Sequence, residues 1–367
     1  MSAAQAGTVA SGFMVAYALS LLASSWLADH FGAKRVFLAS AFLSACSAMV
    51  FGFLAHSYFT GLVFYALAAS TQGGLYTPAI ILFSSRYDAS QRGSAVGYLI
   101  ASTSVGYAFS LGISGLCLHW DGYRAAFVVT GLLPVLGAIL AWFALRKTIN
   151  VVHPRVRGVR VFALLRKNPN ARFLVNGYTA HSWELLGMWS WTPAFFAASL
   201  ALAGNSLADT AQFGAYLAAS MHLIGSVASA SMGRLSDSWG RRNVLMVTAA
   251  AGMILSFTIG WLIAAPIYVL AGIGILYYFA AIGDSPVLST ALSESVDMGY
   301  LGSVLAVRAL LGFGAGAIAP VVFGAVLDWT NPTSAVAEQW GWAFMTLGIG
   351  GAIATWYAYC FRGRAAT

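Results

Sequence analysis

Charge is what this sequence has least of. Of its 367 residues only 8% are Asp, Glu, Lys or Arg, 59% are hydrophobic, and mean hydropathy is +0.77. A soluble domain carries roughly a quarter charged residues. The length would suit two soluble domains, yet this composition makes lipid the solvent. Cysteine is equally sparse: Cys46, Cys117 and Cys360 all fall in apolar runs, with no disulfide or metal-ligand spacing, and read as small hydrophobes. Nucleotide loop, nucleophile elbow and metal-ligand cluster are absent, so an enzyme and a bound cofactor are not expected. No pore-loop motif interrupts the apolar runs, which argues against an ion channel. No motif mixing aromatic and basic residues offers a nucleic-acid surface, despite the formal charge of +8.

What the chain does have is apolar runs of helix length. A helix needs about 20 apolar residues to cross a bilayer, and eleven runs qualify: 8–28, 36–56, 61–84, 94–118, 124–146, 173–199, 211–233, 244–264, 266–290, 302–327 and 341–361. Lipid offers no hydrogen-bond partners, so these spans must be helical. The expected fold class is an all-α polytopic membrane protein.

Two copies of one short loop organise the chain. The first is Ser25-Trp26-Leu27-Ala28-Asp29-His30-Phe31-Gly32-Ala33-Lys34-Arg35. The second is Gly233-Arg234-Leu235-Ser236-Asp237-Ser238-Trp239-Gly240-Arg241-Arg242-Asn243. Asp29 and Asp237 are 208 residues apart, as are Gly32 and Gly240, and Pro78 and Pro286. Gly93-Ser94 and Gly302-Ser303 differ by 209, as do Gly115 and Gly324. Landmarks in one register mean an internal duplication.

The loop pattern G-x-L-a-D-r-x-G-r-r between two membrane helices resembles the signature of the major facilitator superfamily of secondary transporters. The second copy matches nearly in full; the first has Ser25 for Gly, His30 for Arg and Ala33 for Arg. The resemblance implies two pseudo-symmetric six-helix bundles around a cavity that opens alternately to each side. Here the first half supplies five spans and the second six. The expected organisation is a first bundle over 1–146, a linker over 147–172 and a second bundle over 173–367. Shifting 173–199 back by one repeat places its counterpart before Met1, so about 36 residues with one helix are expected to precede this frame. A true eleven-helix protein is the alternative. The opening residues read as a short loop before a helix, without the basic flank or cleavage site of a signal peptide.

Lysine and arginine set the orientation. Starting outside, all of the 19 basic residues except Arg124 and Arg308 fall on one side. That side is expected to be the cytoplasm, holding the linker and the C-terminus, with the spans in the plasma membrane, the inner membrane of a bacterial cell. Within the linker, Val159 to Lys167 alternates apolar and basic groups and reads either as a short helix on the membrane face or as solvated chain.

The loops carry the expected gate: Asp29, Gly32, Lys34, Arg35 and Arg92 with the first copy and its surroundings, and Gly233, Asp237, Gly240, Arg241 and Arg242 in the second. A carboxylate is stabilised at the start of a neighbouring helix. The resemblance puts Asp29 by the span at 302 and Asp237 by the span at 94, with Arg92, Arg241 and Arg242 completing the second network. The alternative is a pair of tight turns with positive-inside charge.

Ionisable groups within spans are functional candidates, and they are His181, Glu184, His222, Asp284 and Arg308, all in the second half. His181 and Glu184 are three apart and share a helix face with Trp191, about 12 to 17 Å deep at 1.5 Å per residue. Together they suit carrying a proton. His222 reads as a packing residue. Asp284 and Arg308 should reach similar depths and form a salt bridge. Either Arg308 binds an anionic substrate while Asp284 tunes it, or the two neutralise one another. The first half offers neutral polar groups, among them Gln72, Tyr76 and Tyr107.

Drug/proton antiporters of this superfamily carry an arginine where this chain has Ala69, and a Gly-Pro in the fifth helix that Gly106-Tyr107 and 112–115 lack. The expected function is therefore alternating-access transport of a small organic anion, by symport with a proton or by exchange. A monomer in the bilayer is expected, powered by the proton gradient. A drug exporter is the alternative, and a non-transporting membrane sensor is the reading from another class.

Overall fold

The computed structural model describes residues 2–86, 89–150, 152, 161–296, 298–332 and 338–362. No strand occurs among them. Nine of the described helices are long and apolar enough to cross a membrane. Two further expected spans lie in helices outside that set: 61–84 within α3 (Tyr58–Arg86) and 341–361 within α11 (Gly341–Cys360).

The contacts divide the chain into two units, Gly12–Arg157 and Met1–Ser11 with Gly158–Thr367. The first unit holds most of α1 (Ala3–Phe31), then α2 (Ala33–Leu54), α3 and α4 (Ala89–Leu145). α4 is 57 residues long and contains two spans, Ala101–Leu118 and Gly122–Leu145. A straight helix of that length would measure about 85 Å. The left-handed φ of 66° at Gly122 interrupts the run where the two spans meet. Glycine lets the helices approach: a Cβ on Gly73 would fall on Ser20, and one on Gly74 on Ser40. Ser20 and Ser24 then donate to the carbonyls of Ala69 and Gly73 at 3.3 and 3.1 Å.

The second unit contains α5 (Val161–Lys167), α6 (Pro169–Leu202), α7 (Leu207–Trp239), α8 (Arg241–Ile259), α9 (Ile267–Ser295), α10 (Met298–Thr330) and α11. Two helix starts are written in the sequence. Asn168 caps α6 by accepting from Ala171 N at 3.0 Å, with Pro169 in the first turn; Ser206 caps α7 by accepting from Asp209 N at 3.3 Å. The linker stretch 161–167 is helical, with Leu165 buried against Leu174, Val175 and Val296 while Phe162 is exposed. The remainder of the linker, 153–160, lies outside the described residues.

The core of this unit is aromatic at one end, where Trp191, Phe195, Phe323, Trp340 and Phe344 pack together. The first residues of α1 belong here too. Asp328 of α10 accepts from Ala3 N at 3.0 Å and Ala4 N at 2.8 Å, placing a carboxylate on the positive end of the helix.

Candidate functional site

Both repeated loops turn in the same way. Gly32 between α1 and α2 has φ 86° and ψ 143°; Gly240 between α7 and α8 has φ 89° and ψ 141°. That region of backbone space is essentially confined to glycine. In the second loop Arg241 reaches Asp237 Oδ1 at 2.6 Å and Glu294 Oε1 at 2.9 Å, tying the start of α8 to the end of α9. Arg242 turns elsewhere, donating to the Tyr359 carbonyl at the end of α11 at 3.0 Å and lying over the Tyr359 ring. In the first loop Lys34 donates to the Thr148 carbonyl at 2.9 Å. Asn150 bridges the turn, donating to the Phe31 carbonyl at 2.8 Å and accepting from Arg35 N at 3.4 Å. The expected contacts of Asp29 and Arg92 lie outside the described residues, because both side chains do.

The intramembrane ionisable groups of the second unit sit on facing stretches of α6, α9 and α10. His181, Glu184, Asp284 and Arg308 are 2%, 3%, 4% and 7% exposed, so each must find partners within the protein. His181 places Nδ1 2.9 Å from Asp284 Oδ1 and Nε2 2.9 Å from Ser285 Oγ. Arg308 donates to Ser289 Oγ at 3.0 Å and lies 3.9 Å over the Tyr178 ring, which is itself 5.7 Å from the His181 ring. Gly312 makes room for that ring, since a Cβ there would fall on Tyr178.

This corrects the expected Asp284–Arg308 salt bridge: Asp284 pairs with His181, and Arg308 has no carboxylate partner among the described residues. The expected partnership of His181 with Glu184 also divides. Three residues advance about 300° round a helix. The remaining 60° sends the two side chains into different seams. Glu184 points toward α8 and α11, where Ser256 Oγ donates to its Oε1 at 2.7 Å and the Tyr277 hydroxyl meets Ser256 in turn. Two glycines clear the space for the carboxyl group. A Cβ on Gly252 would stand 3.1 Å from Oε1, and one on Gly351 2.8 Å from Oε2.

Trp191 is part of the aromatic core, donating to the Pro320 carbonyl at 3.1 Å and stacked on Phe323. His222 is packed edge-on to Trp189 and Tyr278. Gln72 and Tyr76 on α3 and Tyr107 on α4 are half-buried in the first unit. Sequence reasoning missed Tyr178, Ser289, Ser256 and Tyr277. Tyr178 was within reach, three residues before His181 on the same helix. The others are neutral hydroxyls on α8 and α9, and nothing in the sequence distinguishes them.

The family profile described as Major Facilitator Superfamily matches residues 1–307. The chain belongs to the Major Facilitator Superfamily. It is thus a multi-pass membrane transporter rather than an enzyme. Among curated relatives it is similar to a hexuronate transporter of Bacillus subtilis (strain 168), at 22% identity over 359 residues, covering 91% of this chain and 82% of that protein. Among solved structures it is similar to a bacterial homologue of the human lysosomal transporter Spinster, captured inward-facing and unoccupied. That match has a TM-score of 0.73 and 17% identity, and covers 98% of this chain and 89% of the other. At that identity the likeness shows the superfamily's fold.

Proposed function

We propose that this transporter moves a small organic anion together with a proton by alternating access. The observation that carries the reading is Arg308, a buried guanidinium with no carboxylate partner among the described residues. Tyr178 and Ser289 hold it, and neither carries a charge to pair with it. A buried cation without a counter-ion is costly, and a carboxylate substrate supplies one, in a geometry that guanidinium matches well. The hexuronate transporter among its relatives is named for a substrate with a carboxylate, which agrees. Glu184 and the His181–Asp284 pair are the buried titratable groups available to carry the proton. The protein works as a monomer in the inner membrane of a bacterial cell, with its linker and C-terminus in the cytoplasm.

A thermal-shift screen of the purified protein tests the substrate class, using sugar acids, small carboxylates, neutral sugars and lipophilic cations. A ligand at 100 times its Kd should stabilise the fold by about 2.7 kcal/mol. Stabilisation by a carboxylate that R308A abolishes is expected. Stabilisation by lipophilic cations alone would replace this reading with drug export.

A further inference from the structure

We propose that His181 and Asp284 together form the proton seat of this transporter, and that the proton they hold is coupled to the anion held at Arg308. The inference rests on reading Arg308 as the anion site.

Asp284 is buried and has no lysine or arginine partner among the described residues. A carboxylate in that position is neutralised either by its own proton or by an imidazolium beside it. His181 is the group beside it, at 2.9 Å. Its other ring nitrogen hydrogen-bonds with the Ser285 hydroxyl, whereas Nδ1 lies close to Asp284 Oδ1 without the alignment of a hydrogen bond, so Oδ1 is left open to receive a proton. A void of about 10 Å³ lies against Asp284, lined also by Gly177, Leu245, Leu288 and Tyr357. That is near the lower limit for one water molecule, next to the group that exchanges the proton.

The seat and Arg308 share supporting residues. The Tyr178 ring approaches both the Arg308 guanidinium, at 3.9 Å, and the His181 ring, at 5.7 Å. Ser289 accepts from Arg308 and donates to the Ser285 carbonyl at 2.9 Å, and the Ser285 hydroxyl reaches His181. The charges then count simply. With His181 neutral and Asp284 ionised, Arg308 and Asp284 balance. One added proton leaves the cluster with a single positive charge, which an anion restores to zero. Proton and anion therefore favour one another's binding, and the coupling is reciprocal.

The other titratable groups around the pair are Tyr178 and Glu184 on α6, Tyr277 on α9, Arg308 on α10 and Tyr357 on α11. α8 contributes the hydroxyl of Ser256 and apolar groups such as Leu245 and Ala249. Glu184 lies in that seam beside Gly252 and Gly351, and its hydrogen bond runs to Ser256 rather than to the pair.

The test uses the full chain in liposomes and radiolabelled glucuronate. Its readout is uptake with an inside-alkaline gradient divided by uptake without one. With a gradient of one pH unit, wild type should approach a steady-state ratio of about ten, the limit for one proton moved with one anion. H181Q and D284N should bring the ratio to about one, whatever their absolute rates, while E184Q stays well above one. Persistence of the wild-type ratio in H181Q or D284N, or its loss in E184Q alone, overturns the proposal. If the wild type moves no glucuronate in either condition, the anion reading fails for this probe, and a second measurement decides the proton seat. In ¹⁵N-histidine spectra, the His181 signal, assigned by its loss in H181Q, should titrate over a different pH range in D284N. Identical titration in the two proteins rules the seat out.

Discussion

Gly351 leaves room for Glu184 and Met253, and Gly312 for Tyr178 and Ser182. A methyl group on Gly351 would stand 2.8 Å from Glu184 Oε2. G351A should therefore destabilise the protein by about 1–3 kcal/mol, the usual effect of overpacking. It is read as a fall in Tm, and an unchanged Tm would mean that Glu184 does not occupy this seam. G312A acts on the other cluster by displacing the Tyr178 ring. Loss of the cation–ring contact, worth about 0.5–2 kcal/mol, should raise the KM for the anion several-fold while leaving expression intact; an unchanged KM would detach Tyr178 from the site. The residues that matter here were legible in the sequence as lone charges in apolar runs. Their pairing was not. Counting residues along α9 and α10 gives the depth of Asp284 and Arg308 but not the direction each faces round its helix. His181, at a distant point of the chain, takes Asp284 instead.

Helices and their ends behave as units of a second kind. Gly32 and Gly240 adopt one conformation that disfavours any other residue. G32A and G240A should each cost about 1–3 kcal/mol through backbone strain, and G32A should lose more Tm, because its Cβ would also fall on Asn150 whereas Gly240 has open space around it. A loss in one variant only would show that the loops differ mechanically. D328N removes the charge but keeps the shape of the group capping α1, so it should cost about 0.3–1 kcal/mol at low ionic strength and less in salt. An effect indifferent to salt would mean that charge contributes nothing to the cap. Most helices were legible because lipid forces every long apolar run into one conformation. The run at 94–146 was read correctly as two spans, and the residue joining them is Gly122 with its left-handed φ. The cap from Asp328 to Ala3 was not legible, since 325 residues separate the partners and no periodicity links them.

For the whole molecule, the proposed orientation predicts which face a membrane-impermeant thiol reagent can reach. With the native cysteines replaced, a cysteine at Asn150 should react only from the cytoplasmic side and one at Asn331 only from the opposite side; the reverse pattern would invert the topology. The architecture was visible through the 208-residue repeat, because duplication leaves a mark in one dimension that needs no folding to be seen. The position of the site within the second unit was visible through its charges, whereas the seams that separate Glu184 from His181 exist only once helices pack. The two loop glycines also bear on how the copies have aged. Since duplication, drift has set Ser25 against Gly233, His30 against Ser238 and Ala33 against Arg241. At Gly32 and Gly240 every missense change adds a Cβ where the backbone tolerates none, so this pair has kept its identity while positions beside it drifted.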